Sequence, residues 1–143
     1  MKKLYAFVIG ATVLACASVN PVAVQVGDRC LGCGRAIGDV RVAAEMIDAL
    51  RAPFPFRTPA CMARYIKGHP DRQVTALFVT DQTSGKMVVA ADAWFVPAVI
   101  PVPGRTFGEN DYVAFRSKAD AEAFRAGNGP VLRWPQVVAE VAD

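Results

Sequence analysis

Two strand-to-helix junctions 59 residues apart restrict the folds open to this chain more than any other feature. Phe56-Arg57-Thr58-Pro59-Ala60 lies over Phe115-Arg116-Ser117-Lys118-Ala119, and the same overlay puts Tyr65 on Phe124 and Gly68 on Gly127, with four of 13 aligned positions identical. Each junction sets an aromatic β-former before a hydroxyl residue that can accept from the free amides of a helix start, with a glycine about one helix length later. Any strand-to-helix junction favours such residues, so the match alone is modest. It nonetheless predicts two related ββα-type units sharing one core, an α+β fold. The copies differ where chemistry is possible: the first helix opens Ala60-Cys61-Met62, the second Ala119-Asp120-Ala121.

The elements around the junctions follow from local pattern. Val42, Ala44 and Met46 alternate with polar or small residues, and Phe54 and Phe56 stand around Pro53 and Pro55, which predicts two short strands with the proline-bearing one at a sheet edge. Thr58 caps and Pro59 opens a helix running to Lys67, with Gly68 ending it. Val74 to Thr80, Met87 to Ala90 and Trp94 to Ile100 read as strands, the first two joined by the turn Asp81 to Gly85. Pro101 to Asp111 reads as a loop and Tyr112 to Arg116 as a strand. Ser117 caps a helix from Lys118 to about Ala126. Leu132 and Trp134 fit a last strand, and Val137 to Val141 a closing helix.

The N-terminus has the grammar of export. Lys2 and Lys3 precede an apolar run from Leu4 to Leu14 that is too short to span a bilayer, which is the pattern of a signal peptide. Val13-Leu14-Ala15-Cys16 resembles a bacterial lipobox, with lipid on Cys16 and cleavage before it. Cleavage before Ser18, at Ala15-Cys16-Ala17, is the alternative. The expected organisation is therefore residues 1–15 as signal peptide, 16–27 as a lipidated tether rich in turn formers, and 28–143 as one domain. The product is expected to be exported and lipid-anchored to a bacterial membrane, facing the periplasm or the cell exterior. Without residues 1–15 the chain keeps 14 basic against 13 acidic residues. That balance, with no basic patch interleaved with aromatics, gives no footing for nucleic acid.

Three cysteines remain beyond Cys16. Cys30 and Cys33 form a C-x-x-C in Cys30-Leu31-Gly32-Cys33-Gly34, a spacing that lets two sulfurs share one metal ion or form a disulfide. Cys61 falls at the third helical position after Thr58, where free amides and the helix dipole favour a thiolate, so it is expected to be unusually reactive. Met62 follows with a thioether, and thiolates beside a thioether suit a soft ion such as Cu(I). The alternatives are an inert Cys30–Cys33 disulfide, thiol-disulfide exchange by that pair, a buried Cys61, and Met62 as core filler. Gly34 stands where c-type haem attachment requires histidine. His69, the only histidine, fits a solvated loop better than a metal ligand. Glu45, Asp48, Asp92 and Glu109 have no spacing that makes an acid/base couple, and no nucleophile elbow or phosphate loop is present, so no enzymatic activity is expected. An odd number of thiols in an oxidising compartment favours a metal site over a simple staple.

These residues resemble the NosL family of accessory lipoproteins, copper chaperones for nitrous oxide reductase. The resemblance runs through Cys16, the Cys30 to Gly34 motif, Phe56 leading to Cys61-Met62-Ala63-Arg64-Tyr65, Val79-Thr80-Asp81 with Gly85, Ala93, Ala114-Phe115 and Ala121 to Phe124. It implies a fold like that of NosL and the organomercurial lyases. It also implies Cu(I) as cargo and an acceptor copper protein or its maturation machinery as partner, the membrane being contacted through lipid at Cys16; apart from the resemblance, Cys30, Cys33, Cys61 and His69 have the ligand number of a Zn site but no second pair spacing. Cys30, Cys33, Cys61 and, more weakly, Met62 are the implied ligands. Arg35 stands where the family commonly has methionine after the C-x-x-C-G, and Val102-Pro103-Gly104 where it commonly has a proline-methionine pair. A relative that has lost copper and serves as a structural lipoprotein is the competing reading.

Overall fold

The computed structural model describes residues 18–125 and 129–142; Cys16, the signal peptide and the Gly127 helix stop lie outside them. Six strands and three α-helices follow one another as β1 (Ala44–Asp48), β2 (Pro53–Phe56), α1 (Pro59–Gly68), β3 (Val74–Thr80), β4 (Met87–Val89), β5 (Trp94–Pro101), β6 (Gly108–Phe115), α2 (Lys118–Arg125) and α3 (Trp134–Glu140). One antiparallel sheet has the order β2-β1-β3-β4, and β5 and β6 form a separate long hairpin.

The repeat is real and longer than the junctions indicate. A 3₁₀ turn precedes each hairpin, Val40–Val42 before β1 and Ala90–Asp92 before β5. Each ends on a fully buried alanine, Ala43 or Ala93, whose N–H returns 3.2 Å to the first carbonyl of the turn. Two units of turn, hairpin and helix therefore stand in tandem, and the β3–β4 pair completes the sheet of the first.

β1 is an interior strand, between β2 and β3, and is buried along its whole length, Glu45 and Asp48 included. Glu45 is tolerated there because its carboxylate accepts the Val22 N–H at 2.7 Å, although burial still pushes its pKa up. Residues 22–27, which composition marks as tether, thus lie on the body: Val24 also packs against the core, and Gly27 donates to the Ile37 carbonyl. Proline placement explains β2. Pro55 turns a carbonyl but no N–H to the free edge, so that edge cannot pair with another strand; it takes a single amide, Leu31 N–H on the Pro55 carbonyl at 2.9 Å.

Two stretches depart from the sequence expectation. Pro101 to Asp111 was expected to be loop, yet pairing runs from Trp94↔Phe115 to Pro101↔Gly108. Gly108 permits it, since a Cβ there would lie 2.8 Å from the Ile100 carbonyl oxygen. The polar run Glu109-Asn110-Asp111 therefore stands on a strand. Leu132 and Trp134 were expected to form a strand. Leu132 makes only an isolated bridge to Phe95, and Trp134 opens α3, where Pro135 presets the helical backbone and the Gln136 side chain accepts the Arg133 N–H at 2.8 Å.

The larger core gathers Phe56, Met62, Phe95 and Val137 with Cys30 and Cys61 beneath α1 and α3, and the smaller one gathers Val96, Val113, Phe115 and Ala121 beneath α2.

Candidate metal centre

The C-x-x-C motif folds as a tight knuckle. Arg29 and Ala36 bridge across it, Cys30 N–H donates to the Arg35 carbonyl at 2.9 Å, and Gly34 N–H to the Cys30 carbonyl at 2.8 Å, with Gly34 at φ +70°. Gly32 lets this knuckle lie directly on the first turn of α1, because a Cβ at that position would sit 2.9 Å from the Cys61 carbonyl oxygen. Close backbone approach is what carries the knuckle cysteines to Cys61.

On the other side, Thr58 caps α1 as expected, its hydroxyl oxygen accepting the Cys61 N–H at 3.2 Å. The outcome is a cluster of three sulfurs, Cys30, Cys33 and Cys61, all within 4.8 Å of one another, with Cys33 and Cys61 3.9 Å apart. All three are free thiols. Three thiolates around one ion at about 2.3 Å lie about 4 Å apart, so the spacing fits a shared ion with little movement. Cys30 and Cys61 are buried and Cys33 is exposed. Met62 is wholly buried in the larger core. His69 closes the end of α1, stacked on Tyr65 at 4.1 Å with its Nδ1 2.7 Å from the Tyr65 carbonyl.

The expected charge distribution is reversed. A helix-start position was expected to make Cys61 the thiolate; instead its pKa is pushed well above the ordinary thiol value, first because its proton is held in a hydrogen bond to Cys30 and then by burial. Cys30 is correspondingly drawn down to about 7, chiefly by that hydrogen bond. A smaller contribution comes from what already occupies the helix start. Asp111 on β6 accepts the Ala60 N–H at 3.1 Å and the Thr58 hydroxyl proton at 2.5 Å, and its nearness raises Cys61 further. The carboxylate thus shares the positive end of the α1 dipole with the thiol, while the Thr58 hydroxyl still favours the Cys61 thiolate without offsetting Cys30 and burial.

Sequence reasoning missed the charged rim. Arg57, next to the cap, is 5% exposed, whereas its repeat counterpart Arg116 is exposed. Burial works against its charge, but Cys61, Cys33 and Glu109 around it outweigh that and keep it protonated. Glu109 receives Arg57 at 2.5 Å and Arg35 at 2.6 Å, with Arg105 at 3.9 Å, and is held below the usual carboxylate range chiefly by Arg35. A cleft of about 430 Å³ opens in front of the sulfurs, lined by Cys33, Cys61, Arg35, Arg57, Arg64, Glu109 and Asn110. The repeat of Phe-Arg-hydroxyl at both junctions was the available signal, but only packing shows which arginine is buried.

A family model described as NosL matches residues 21–142. The fold is similar to the crystal structure of the copper chaperone NosL from Shewanella denitrificans, with a TM-score of 0.67 at 20% sequence identity, covering 83% of this chain and 96% of that one. No curated protein matches the sequence.

Proposed function

The chain belongs to the NosL family, and from that membership we propose that it is an exported, lipid-anchored Cu(I) carrier in which Cys30, Cys33 and Cys61 hold the ion. The observation that carries this reading is the three-sulfur cluster, assembled from a knuckle and a helix start that the chain brings together across 28 residues. Thiolates are soft donors and select Cu(I) over harder ions, which accepts three ligands, whereas a structural zinc site takes four. Among the described residues no histidine or carboxylate completes the cluster. The neighbour's printed name, a copper chaperone, points the same way.

Burial assigns the three sulfurs different parts. Cys30 and Cys61 are buried in the core, and of the two sulfurs that line the cleft, Cys33 and Cys61, only Cys33 is exposed. An acceptor's ligand enters beside Cys33, Cys33 is displaced first, and the buried pair releases the ion last. The acceptor is a copper protein or its maturation machinery. Lipid at Cys16 holds the carrier at a membrane facing the periplasm or cell exterior. Met62 lies in the core next to Cys61 and supplies packing in this reading. Thiol-disulfide exchange is less well served, because the C-x-x-C sits on a turn and not at a helix start.

The test is anaerobic Cu(I) titration of the reduced protein against a chelating competitor, repeated with Cys30, Cys33 and Cys61 each changed to serine. Wild type binding no more tightly than the triple variant ends the carrier reading. Lipid at Cys16 is tested separately, by the mass of the membrane-extracted protein before and after Cys16→Ala.

A further inference from the structure

The cleft in front of the sulfurs carries more positive charge than its own contacts use. Three arginines line it against one glutamate. Arg64 shows no direct hydrogen bond or ion pair among the described residues, although Asp111 and Tyr112 feel its charge, and Arg57 keeps a buried Nε–H with no acceptor. Arg35 and Arg105 are both more than two-fifths exposed and converge on the same Glu109 carboxylate as Arg57. A carboxylate is the ligand that paired guanidinium forks recognise best, and Glu109 already shows the geometry.

We propose that this cleft is the docking site for an acidic segment of the protein that loads the carrier, with Glu109 occupying the seat until a carboxylate of that segment displaces it. The inference rests on the Cu(I)-carrier reading and adds the chemistry of the donor. Charge complementarity selects the occupant: Arg35, Arg57 and Arg64 line the cleft against the single Glu109, so an acidic segment is attracted and steered. During transfer Cu(I) leaves the donor's ligands as it gains the sulfurs of Cys30, Cys33 and Cys61. The thiol protons pass to the vacated ligands or to water, and no electron is exchanged. Three thiolates and one monocation then place two negative charges beside the arginines, the attraction is cancelled, and the emptied donor leaves. The same rim thus draws the donor in and lets it go.

The experiment uses the full chain, reduced and metal-free, with two fluorescent ten-residue peptides that lack sulfur and differ only in carrying Glu or Gln. At low ionic strength the Glu peptide is expected to bind about tenfold more tightly than the Gln peptide. Arg35→Ala and Arg64→Ala, both at exposed positions, are each expected to weaken it about threefold, and Glu109→Gln to tighten it by a similar factor. Glu122→Gln, on α2 and paired with Lys118, is the matched loss of one negative charge and is expected to change nothing. Loading with Cu(I) is expected to abolish the preference. Equal binding of the two peptides, insensitivity to both arginine changes, or equal effects of Glu109→Gln and Glu122→Gln each overturn the inference. A chain that takes up no Cu(I) overturns the carrier reading and the donor's role with it. Failed discrimination in a chain that does take up Cu(I) overturns the docking site alone.

Discussion

Changing Gly32 to alanine is expected to pull the metal centre apart without touching a ligand. Gly32 is not among the residues with positive φ, so alanine meets no backbone penalty there and the effect is steric alone. Its Cβ would come 2.9 Å from the Cys61 carbonyl oxygen and 3.4 Å from the Phe56 ring. The oxygen belongs to the first turn of α1 and Phe56 is fully buried, so neither gives way. Moving from 2.9 Å to the ordinary contact distance displaces the knuckle by about 0.5 Å. Coordination distances tolerate about 0.2 Å, so Cys30 and Cys33 lose their common reach with Cys61. Cu(I) affinity is expected to fall roughly 10- to 100-fold, and folding stability by about 1–3 kcal/mol. The assays are anaerobic chelator competition and denaturant unfolding of the reduced protein. Gly68→Ala is the control, because a Cβ there meets nothing within 4 Å. Affinity of the Gly32 variant within about threefold of wild type would refute the claim that close approach at this one residue assembles the site.

Other expectations follow from the groups around the sulfurs. With its pKa drawn down to about 7 against an ordinary value of 9.0, Cys30 contributes stability that is fully present above pH 9 and is lost as pH falls through about 7. Cys61, raised, acts oppositely only above its ordinary value, so thermal stability of the reduced, metal-free protein should rise from pH 7 towards pH 9. Cys61→Ala removes the donor and should return the alkylation pKa of Cys30 towards that of a free thiol. Asp111→Asn should lower the pKa of Cys61, read by alkylation rate against pH, at a stability cost under about 1 kcal/mol, because burial already disfavours the Asp111 charge. Asp81→Ala strips acceptors from Arg116 N–H at 3.1 Å and from the Ser84 amide and hydroxyl, and should cost about 1–3 kcal/mol by denaturant unfolding.

What could be read from the sequence was what depends on neighbours in the chain. The Thr58 cap and the prolines of the edge strand each carry a local physical signature, and the structure places them as expected. The duplication was visible at the junctions, while its 3₁₀ turns were hidden because the two hairpins differ in length. The errors arose where distant residues decide. Cys30, on the knuckle, holds the Cys61 proton in a hydrogen bond and burial adds to it, with Asp111 reaching α1 from β6 as a smaller influence. Glu109 has no partner near it in sequence other than Arg105, and its two tightest come from the knuckle and from β2's end. The Leu132-Trp134 strand failed because Pro135 and Gln136 supply a helix start that hydrophobic pattern does not weigh.

The hydrogen bond from Val22 to the buried Glu45 also fixes where the chain leaves the domain on its way to the N-terminus. Five residues lie between Cys16 and Val22, a span of six Cα–Cα steps that at full extension reaches about 20 Å. With lipid on Cys16, a leash that short holds the carrier close above the bilayer, so its encounters become collisions along a surface. A partner free in solution would meet it rarely; one held at the same membrane would meet it at a high local concentration.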